Sequence, residues 1–285
     1  MYQVLALDLD GTVLNSDHGI HPEVVKAISE IKSQYHVIIV TGRHHTAARP
    51  YHEALGLDTP IICCNGTYVY DYQNQKVLLE NSITKENAKT FLSLADDFQM
   101  KIVLYVTNSM MYSRVQPIEY MKAMEQWSLE FELDKRPDIQ RIECFDTEIN
   151  QAEHIWKFVI EGEPEQIEKL SCLPFVKEQF SGERSWFNRV DFANQGNSKG
   201  GRLTEYLQQN GYSPEQVVAV GDNHNDISMI QLAGLGVAMK NADEKVKYSA
   251  DMVCETDNNK DGLARLIREK FKGINNDQTN DSNRT

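Results

Sequence analysis

Residues 5–14 read LALDLDGTVL, an apolar run that ends in two acids, Asp8 and Asp10, before a Gly-Thr turn. Strand side chains alternate faces, so residues two apart point the same way. Two carboxylates aimed into one small volume repel unless a cation or a proton intervenes. A hard divalent cation with oxygen ligands answers that need. An aspartate beside such an ion can also act as a nucleophile, forming an aspartyl-phosphate. Alone, the same residues read more simply as a strand-end turn capped by aspartates, so the weight rests on what ends the other apolar runs.

Three further segments matter. HVIIVTGR ends in Thr41-Gly42-Arg43, NSKGG places Lys199 at a predicted helix start, and VVAVGDNHND carries Asp222, Asn225 and Asp226. A threonine hydroxyl and a glycine amide can hold phosphoryl oxygens, glycine permitting close backbone approach. Lys199 offers a point charge to a phosphate and to the Asp8 carboxylate. Asp222 supplies a second acid to a cation, Asn225 can donate to phosphate, and Asp226 can orient Lys199 or metal-bound water from behind. Each segment alone is an unremarkable turn, loop or helix start; all of them at strand or helix ends, in this order, are not.

The elements that must position these residues follow from the apolar pattern. VLALDL, HVIIV and PIICC are apolar runs without alternation, as expected of strands buried on both faces of a parallel sheet. Between them lie a helix beginning near Pro22, with a stripe of Val24, Val25, Ile28 and Ile31, and a second over residues 44–55. This β-α-β-α-β order predicts a doubly wound, Rossmann-like α/β core. Ligands bind such sheets beyond the carboxyl ends of the strands.

From residue 67 the pattern changes. A hairpin (67–82), a helix (84–98), strands KIVLYVTN and MMYSRV, a helix near 118–130, strand HIWKFVIEG, helix PEQIEKLSCL and strands FVKEQFSG and WFNRVDFAN suggest an inserted α+β domain. Alternating strands and helices then resume. We expect a core of residues 1–82 and 191–272, a cap of 83–190 and a disordered tail at 273–285. Trp127, Trp156, Trp186, Tyr105 and Tyr112 fall in the cap. Any of them could stack on a ligand ring, but packing is the simpler use. His44 and His45 follow the TGR segment and could reach a substrate or be ordinary helix-turn histidines.

Bulk composition narrows the class. Acidic residues number 42 against 29 basic, a net charge of −13, which argues against a general nucleic-acid binder. Five cysteines without a C-x-x-C spacing suggest neither a zinc site nor a disulfide framework, but buried reduced thiols. No apolar run approaches the ~20 residues that span a bilayer, and the N-terminus has no signal-peptide character. A cytoplasmic protein is expected; oligomeric state is not legible.

Together DLDGTVL, VTGR, NSKG and GDNHND resemble the four motifs of the haloacid-dehalogenase-type phosphatases, and the long insertion is similar to the type IIB cap of their Cof subgroup. Within it, VTGRHH, LDTPIICCNGTYVYDY, WKF and GNSKG are similar to bacterial phosphatases of pyridoxal 5′-phosphate. The resemblance implies an Mg²⁺-dependent phosphomonoesterase of small phosphorylated metabolites. Asp8 would be nucleophile and Asp10 general acid and base. The metal would be held by Asp8, the Asp10 carbonyl and Asp222; phosphate by the Leu9 amide, Thr41, Gly42, Lys199 and Asn225. Two rivals remain at this stage: a phosphomutase on a similar capped core, and a phospho-accepting signalling module without turnover.

Overall fold

A computed structural model describes residues 1–271, so the expected tail at 273–285 lies outside the described residues. In chain order the elements are β1 (Val4–Leu7), α1 (Pro22–Ile31), β2 (His36–Ile39), α2 (His45–Ala54), β3 (Ile61–Cys63), β4 (Tyr68–Asp71), β5 (Lys76–Glu80), α3 (Lys85–Asp97), β6 (Lys101–Val106), β7 (Met110–Ser113), α4 (Glu119–Ser128), β8 (Ile139–Ile142), α5 (Phe145–Gln151), β9 (Ile155–Glu161), α6 (Pro164–Ser171), α7 (Pro174–Gln179), β10 (Phe180–Trp186), β11 (Arg189–Asn194), α8 (Lys199–Gln209), β12 (Val217–Gly221), α9 (Ile227–Leu232), β13 (Leu235–Ala238), α10 (Glu244–Ser249), β14 (Met252–Val253) and α11 (Gly262–Lys270). The chain divides into two compact units. One comprises Met1–Ile38, Ala54–Leu57 and the described residues from Tyr212 on; the other comprises Ile39–Glu53 and Asp58–Gly211.

The first unit is built on a parallel five-stranded sheet, in the order β14-β13-β12-β1-β2. Every residue of β1 and β12 is buried, which is why both read as unbroken apolar runs. Val4 pairs with Val217 and Leu7 with Val220, and the Asp8 amide extends the ladder to the Val220 carbonyl. Chain connection changes direction between β1 and β12, the switch point where an open α/β sheet leaves room for a ligand. Helix α1 starts on Pro22 and buries Val24, Ala27, Ile28 and Ile31, so Ala27 takes the place expected for Val25. That face packs on α11, and Arg268 of α11 pairs with Glu23 and Glu30 of α1.

In the second unit the six-stranded order is β10-β11-β9-β6-β7-β8, antiparallel except where Met110–Ser113 runs parallel to Ile139–Ile142. Alternation gives this sheet two different faces. One carries Ile102, Leu104, Phe158, Ile160, Val190 and Phe192 into an apolar cluster with Phe91 of α3 and Ile167 of α6. The other carries Val103, Tyr105, Lys157, Val159 and Asp191.

Two expectations are corrected, and two further elements appear. Strand β3 does not join the five-stranded sheet. It makes one parallel bridge, Ile62 to Val40, and otherwise pairs antiparallel with β4, which pairs with β5. Residues 175–182 are not one strand: Pro174 opens a helical turn, α7, and β10 begins only at Phe180. Strand β8 and helix α5 were not anticipated, because β8 buries only one of its four residues and shows no apolar alternation.

The turn after β3 depends on Gly66. Its φ is +89°, and a Cβ there would lie 2.1 Å from the Ser198 carbonyl oxygen, a backbone atom that cannot step aside. Gly66→Ala should therefore destabilise the protein by about 2 kcal/mol or more, from left-handed strain plus displacement of the residue before α8. Urea unfolding checks this; a midpoint unchanged from the parent would show that the close approach is not a constraint.

Candidate active site

The first unit holds the acidic constellation. Asp8 follows β1 and Asp222 follows β12, so neighbouring parallel strands end in a carboxylate each. Asp8, Asp222 and Asp226 each present an oxygen, and these oxygens lie within 4.8 Å of one another. At that separation each ionised pair costs roughly 3 kcal/mol at an effective dielectric of about 20. Hydrogen bonds offset part of this. Asp226 is fully buried, and its Oδ2 accepts from the backbone amides of Asp222 (2.9 Å) and Asn223 (3.0 Å). Thr12 Oγ1 donates to Asp222 Oδ1 at 3.4 Å. Oxygen donors alone, crowded and largely buried, fit a hard divalent cation such as Mg²⁺.

Local backbone chemistry makes the cluster possible. Asn223 and Asp226 form a reciprocal capping box on the turn before α9, which fixes Asp226 beneath Asp222. Gly11 passes over the cluster so closely that a Cβ would sit 2.1 Å from Asp222 Oδ2. Asn241 Nδ2 donates to the Gly11 carbonyl at 2.8 Å. Asp226, expected behind the metal, stands within the carboxylate cluster, with one oxygen committed to two amides. The expectation that Asp8 and Asp10 aim their carboxylates into one volume is corrected. Strand β1 ends at Leu7, so strand alternation does not carry through both acids. The Asp10 side chain is exposed outside the cluster, leaving its backbone carbonyl as the expected ligand atom. Leu9 is buried and Asn225 half-buried in the same unit.

Thr41, Gly42 and Lys199 belong to the second unit. Thr41 is fully buried at the end of the β2 run, its amide bound to the Ile62 carbonyl. Three successive carbonyls here are all satisfied. That of Thr41 accepts from the Asn65 amide and that of Arg43 from the Cys64 amide. That of Gly42 accepts from Lys157 Nζ at 3.0 Å. The Arg43 amide turns back to Thr41 Oγ1 at 3.1 Å. Lys199 is fully buried at the first position of α8, where Ser198 caps the helix by accepting from the Gly201 amide. Arg202 of α8 donates to the carbonyls of Gly66 (2.9 Å) and Thr67 (3.3 Å), docking the helix on the turn after β3.

Lys157 enters the sequence reading only within the WKF segment, with no role assigned, and Asp191 not at all. The available signal was a lysine in the middle of the apolar strand IWKFVIE. Lys157 Nζ reaches Asp191 Oδ2 at 2.5 Å and lies 4.6 Å from the Tyr105 ring centroid. Burial is the largest single influence and opposes its charge, but the adjacent Asp191 carboxylate, Tyr105 and Cys64 together hold the ammonium above the ordinary lysine pKa.

The two histidines resolve as packing groups. His44 Nε2 faces the Val106 carbonyl at 2.9 Å, so Nε2 carries the proton, and Nδ1 meets Thr46 Oγ1 at 2.8 Å. His45 stacks on Tyr70 at 3.8 Å and shares a hydrogen bond with the Tyr68 hydroxyl. Trp156 packs as expected, stacked on Tyr68 at 4.0 Å, whereas Trp186 is exposed. The five cysteines are free. Cys63, Cys64 and Cys254 are buried as anticipated, but Cys144 and Cys172 are exposed.

Residues 5–267 match the haloacid dehalogenase-like hydrolases, and the chain belongs to that family. It is a small-molecule phosphatase of the family's Cof type, with a type IIB cap. Its relatives include pyridoxal phosphate phosphatase YbhA of Escherichia coli, 38% identical over 269 residues that cover 93% of this chain and 97% of that protein. The 5-amino-6-(5-phospho-D-ribitylamino)uracil phosphatase YitU of Bacillus subtilis is 26% identical over 274 residues, covering 94% and 97%. A crystal structure of a haloacid dehalogenase-like hydrolase from Bacteroides thetaiotaomicron superposes with a TM-score of 0.81 at 26% identity, covering 95% of this chain and 100% of that one. No helix among the described residues is long and apolar enough to cross a membrane.

The buried histidines give a pH signature. Burial lowers the His44 pKa from 6.5 to about 4, and burial with the neighbouring His44 lowers that of His45 to about 2. Both stay neutral in the fold but take up protons in the unfolded chain. Their contribution is therefore intact above pH 6.5 and declines as pH falls below it. For His44 the loss reaches roughly 3 kcal/mol by pH 4. Thermal melts should give a midpoint that is flat from pH 8 to 7 and drops steadily from 6.5 to 5. A midpoint unchanged over that lower window would place these rings in solvent contact.

Proposed function

We propose that the chain hydrolyses small phosphomonoesters in an Mg²⁺-dependent reaction through an Asp8-phosphate, with pyridoxal 5′-phosphate as the preferred substrate. The carboxylate cluster of Asp8, Asp222 and Asp226 at the ends of adjacent strands carries this reading. Mg²⁺ would be held by Asp8, the Asp10 carbonyl and Asp222, with Asp226 supporting the set from its two amide bonds; when bound, it offsets charge on the carboxylates and the phosphoryl oxygens.

The chain's own groups perform two displacements. Asp8 attacks phosphorus, the bond to the leaving oxygen breaks, and Asp10 gives its proton to the departing alkoxide. Asp10, now a carboxylate, takes a proton from water as that water attacks the phosphorus of Asp8-phosphate, which frees phosphate and restores Asp8. The Leu9 amide, Thr41, Gly42, Lys199 and Asn225 serve as phosphate-binding groups, Lys199 also offsetting charge in the transition state.

Leaving-group choice is assigned to the cap, residues 83–190, because the four motifs fall outside it. The named substrate of the 38% identical relative, pyridoxal phosphate, supports a flat heteroaromatic alcohol as the leaving group.

Asp8→Asn should abolish turnover, because an amide of nearly the same shape cannot attack phosphorus. The expected fall exceeds the ~10²–10⁴ typical of one acid-base group. More than one per cent residual activity in protein with a native circular dichroism spectrum would remove Asp8 from the nucleophile's role.

EDTA should stop phosphate release and Mg²⁺ restore it. Ca²⁺, which accepts more ligands in looser geometry, should not substitute. Equal rates with Ca²⁺ would contradict the Mg²⁺ assignment.

A screen of phosphorylated metabolites decides the substrate. The expected result is a kcat/KM for pyridoxal 5′-phosphate above that for sugar phosphates. A sugar phosphate preferred tenfold, about 1.4 kcal/mol of transition-state discrimination, would overturn the pyridoxal assignment and leave the phosphatase standing.

A further inference from the structure

Lys157 is an expensive residue in its setting. It sits mid-strand in β9, paired with Tyr105 on one side and Ala193 on the other, and is 3% exposed. A buried ion pair adds little stability over well-packed apolar side chains of similar size. Packing therefore gives no reason for the Lys157–Asp191 pair, and the Gly42 carbonyl, 115 residues away in the chain, does.

The geometry runs through a single peptide plane. The Gly42 carbonyl and the Arg43 N–H belong to the same planar trans amide and point in opposite directions. Lys157 Nζ holds the carbonyl end at 3.0 Å, and the N–H end donates to Thr41 Oγ1 at 3.1 Å. A cation at the carbonyl polarises the amide and strengthens its N–H as a donor. The Thr41 hydroxyl, already accepting from that N–H, has its own hydrogen left to give. The neighbouring carbonyls of Thr41 and Arg43 are pinned by the Asn65 and Cys64 amides, whereas that of Gly42 is held by a side chain from the sheet.

We propose that Lys157, with Asp191 as its counter-ion, is a positioning residue for the phosphate-binding turn, fixing the Gly42–Arg43 amide so that Thr41 donates to a phosphoryl oxygen. This rests on the reading above that Thr41 and Gly42 hold phosphate. Lys157 acts on the transferred group, through another residue, and not on the leaving group. It therefore affects all phosphomonoesters alike.

The test compares the parent with Lys157→Met, Lys157→Arg and the double variant Lys157→Met/Asp191→Asn, which removes the carboxylate that the first would strand. Thermal melts establish folding. Three quantities are then read: the inhibition constant of inorganic phosphate, its affinity by calorimetry, and kcat/KM for p-nitrophenyl phosphate and pyridoxal 5′-phosphate. In the double variant we expect phosphate binding to weaken about tenfold or more, as for the loss of a charge-assisted contact. Both kcat/KM values should fall by a common factor, while the melting temperature stays near the parent's. Lys157→Arg should recover most of the loss and Lys157→Met should not. Unchanged phosphate affinity in a folded variant, a loss confined to one substrate, or an arginine variant no better than methionine would overturn the proposal. If the parent hydrolyses no phosphomonoester, the functional reading fails on its own, and the calorimetric affinities for phosphate still decide the part played by Lys157.

Discussion

Three carboxylates with oxygens inside 4.8 Å of one another dominate the first unit, and its surroundings can be read as what such crowding demands. Parallel strands β1 and β12 must end side by side to bring Asp8 and Asp222 together, so both strands are wholly buried and tightly registered. Asp226 cannot be left bare in the interior, and two backbone amides meet it. The chain must cross the cluster without adding bulk, which selects glycine at position 11. The buried Asp226 and the glycine at position 11 do not improve packing. They are costs that make sense when a cation completes the charge balance.

The second unit answers a different demand. Where the β2 run stops, its carbonyls lose their ladder partners, and buried carbonyls without partners are costly. Two are taken by amides of the left-handed turn at Cys64 and Asn65, with φ of +50° and +58°. The third is taken by an ammonium brought by the sheet. The same turn receives Arg202, which ties the start of α8, and so Lys199, to the segment following Thr41. Thr41 and the start of α8, distant in sequence, are thus joined by one continuous set of hydrogen bonds to backbone carbonyls.

What was legible in the sequence followed from patterns that survive without tertiary context. Unbroken β-branched runs reported strands buried on both faces, and the first acid after β1, Asp8, reported one member of the cluster, whereas Asp10 lies exposed outside it. The reading failed where context decided. Phe175-Val176 looked like strand, but Pro174 set a helical turn whose Val176 fills the apolar cluster. Strand β8 has a single buried residue and is a strand because β7 lies alongside it. Asp226 was legible as a supporting acid but not as a member of the carboxylate cluster, since that depends on where the capping turn places it. Lys157 stands out as a lysine in an apolar run, but its partner Asp191, 34 positions away, shows itself only once the fold brings the two together.

The bond from Lys157 to Gly42 also bears on the order in which the chain becomes competent. Contacts between distant residues form late, because the intervening chain must surrender its freedom first. The turn at Thr41 is translated early, but the partner that fixes it is 115 residues downstream, in the middle strand of a sheet whose outermost partners include β10 and β8. Strand β1 waits longer still, for β12, which brings Asp222 beside Asp8 and lies further downstream than Lys157. Completion of the Thr41 turn is thereby coupled to assembly of the sheet that carries Lys157.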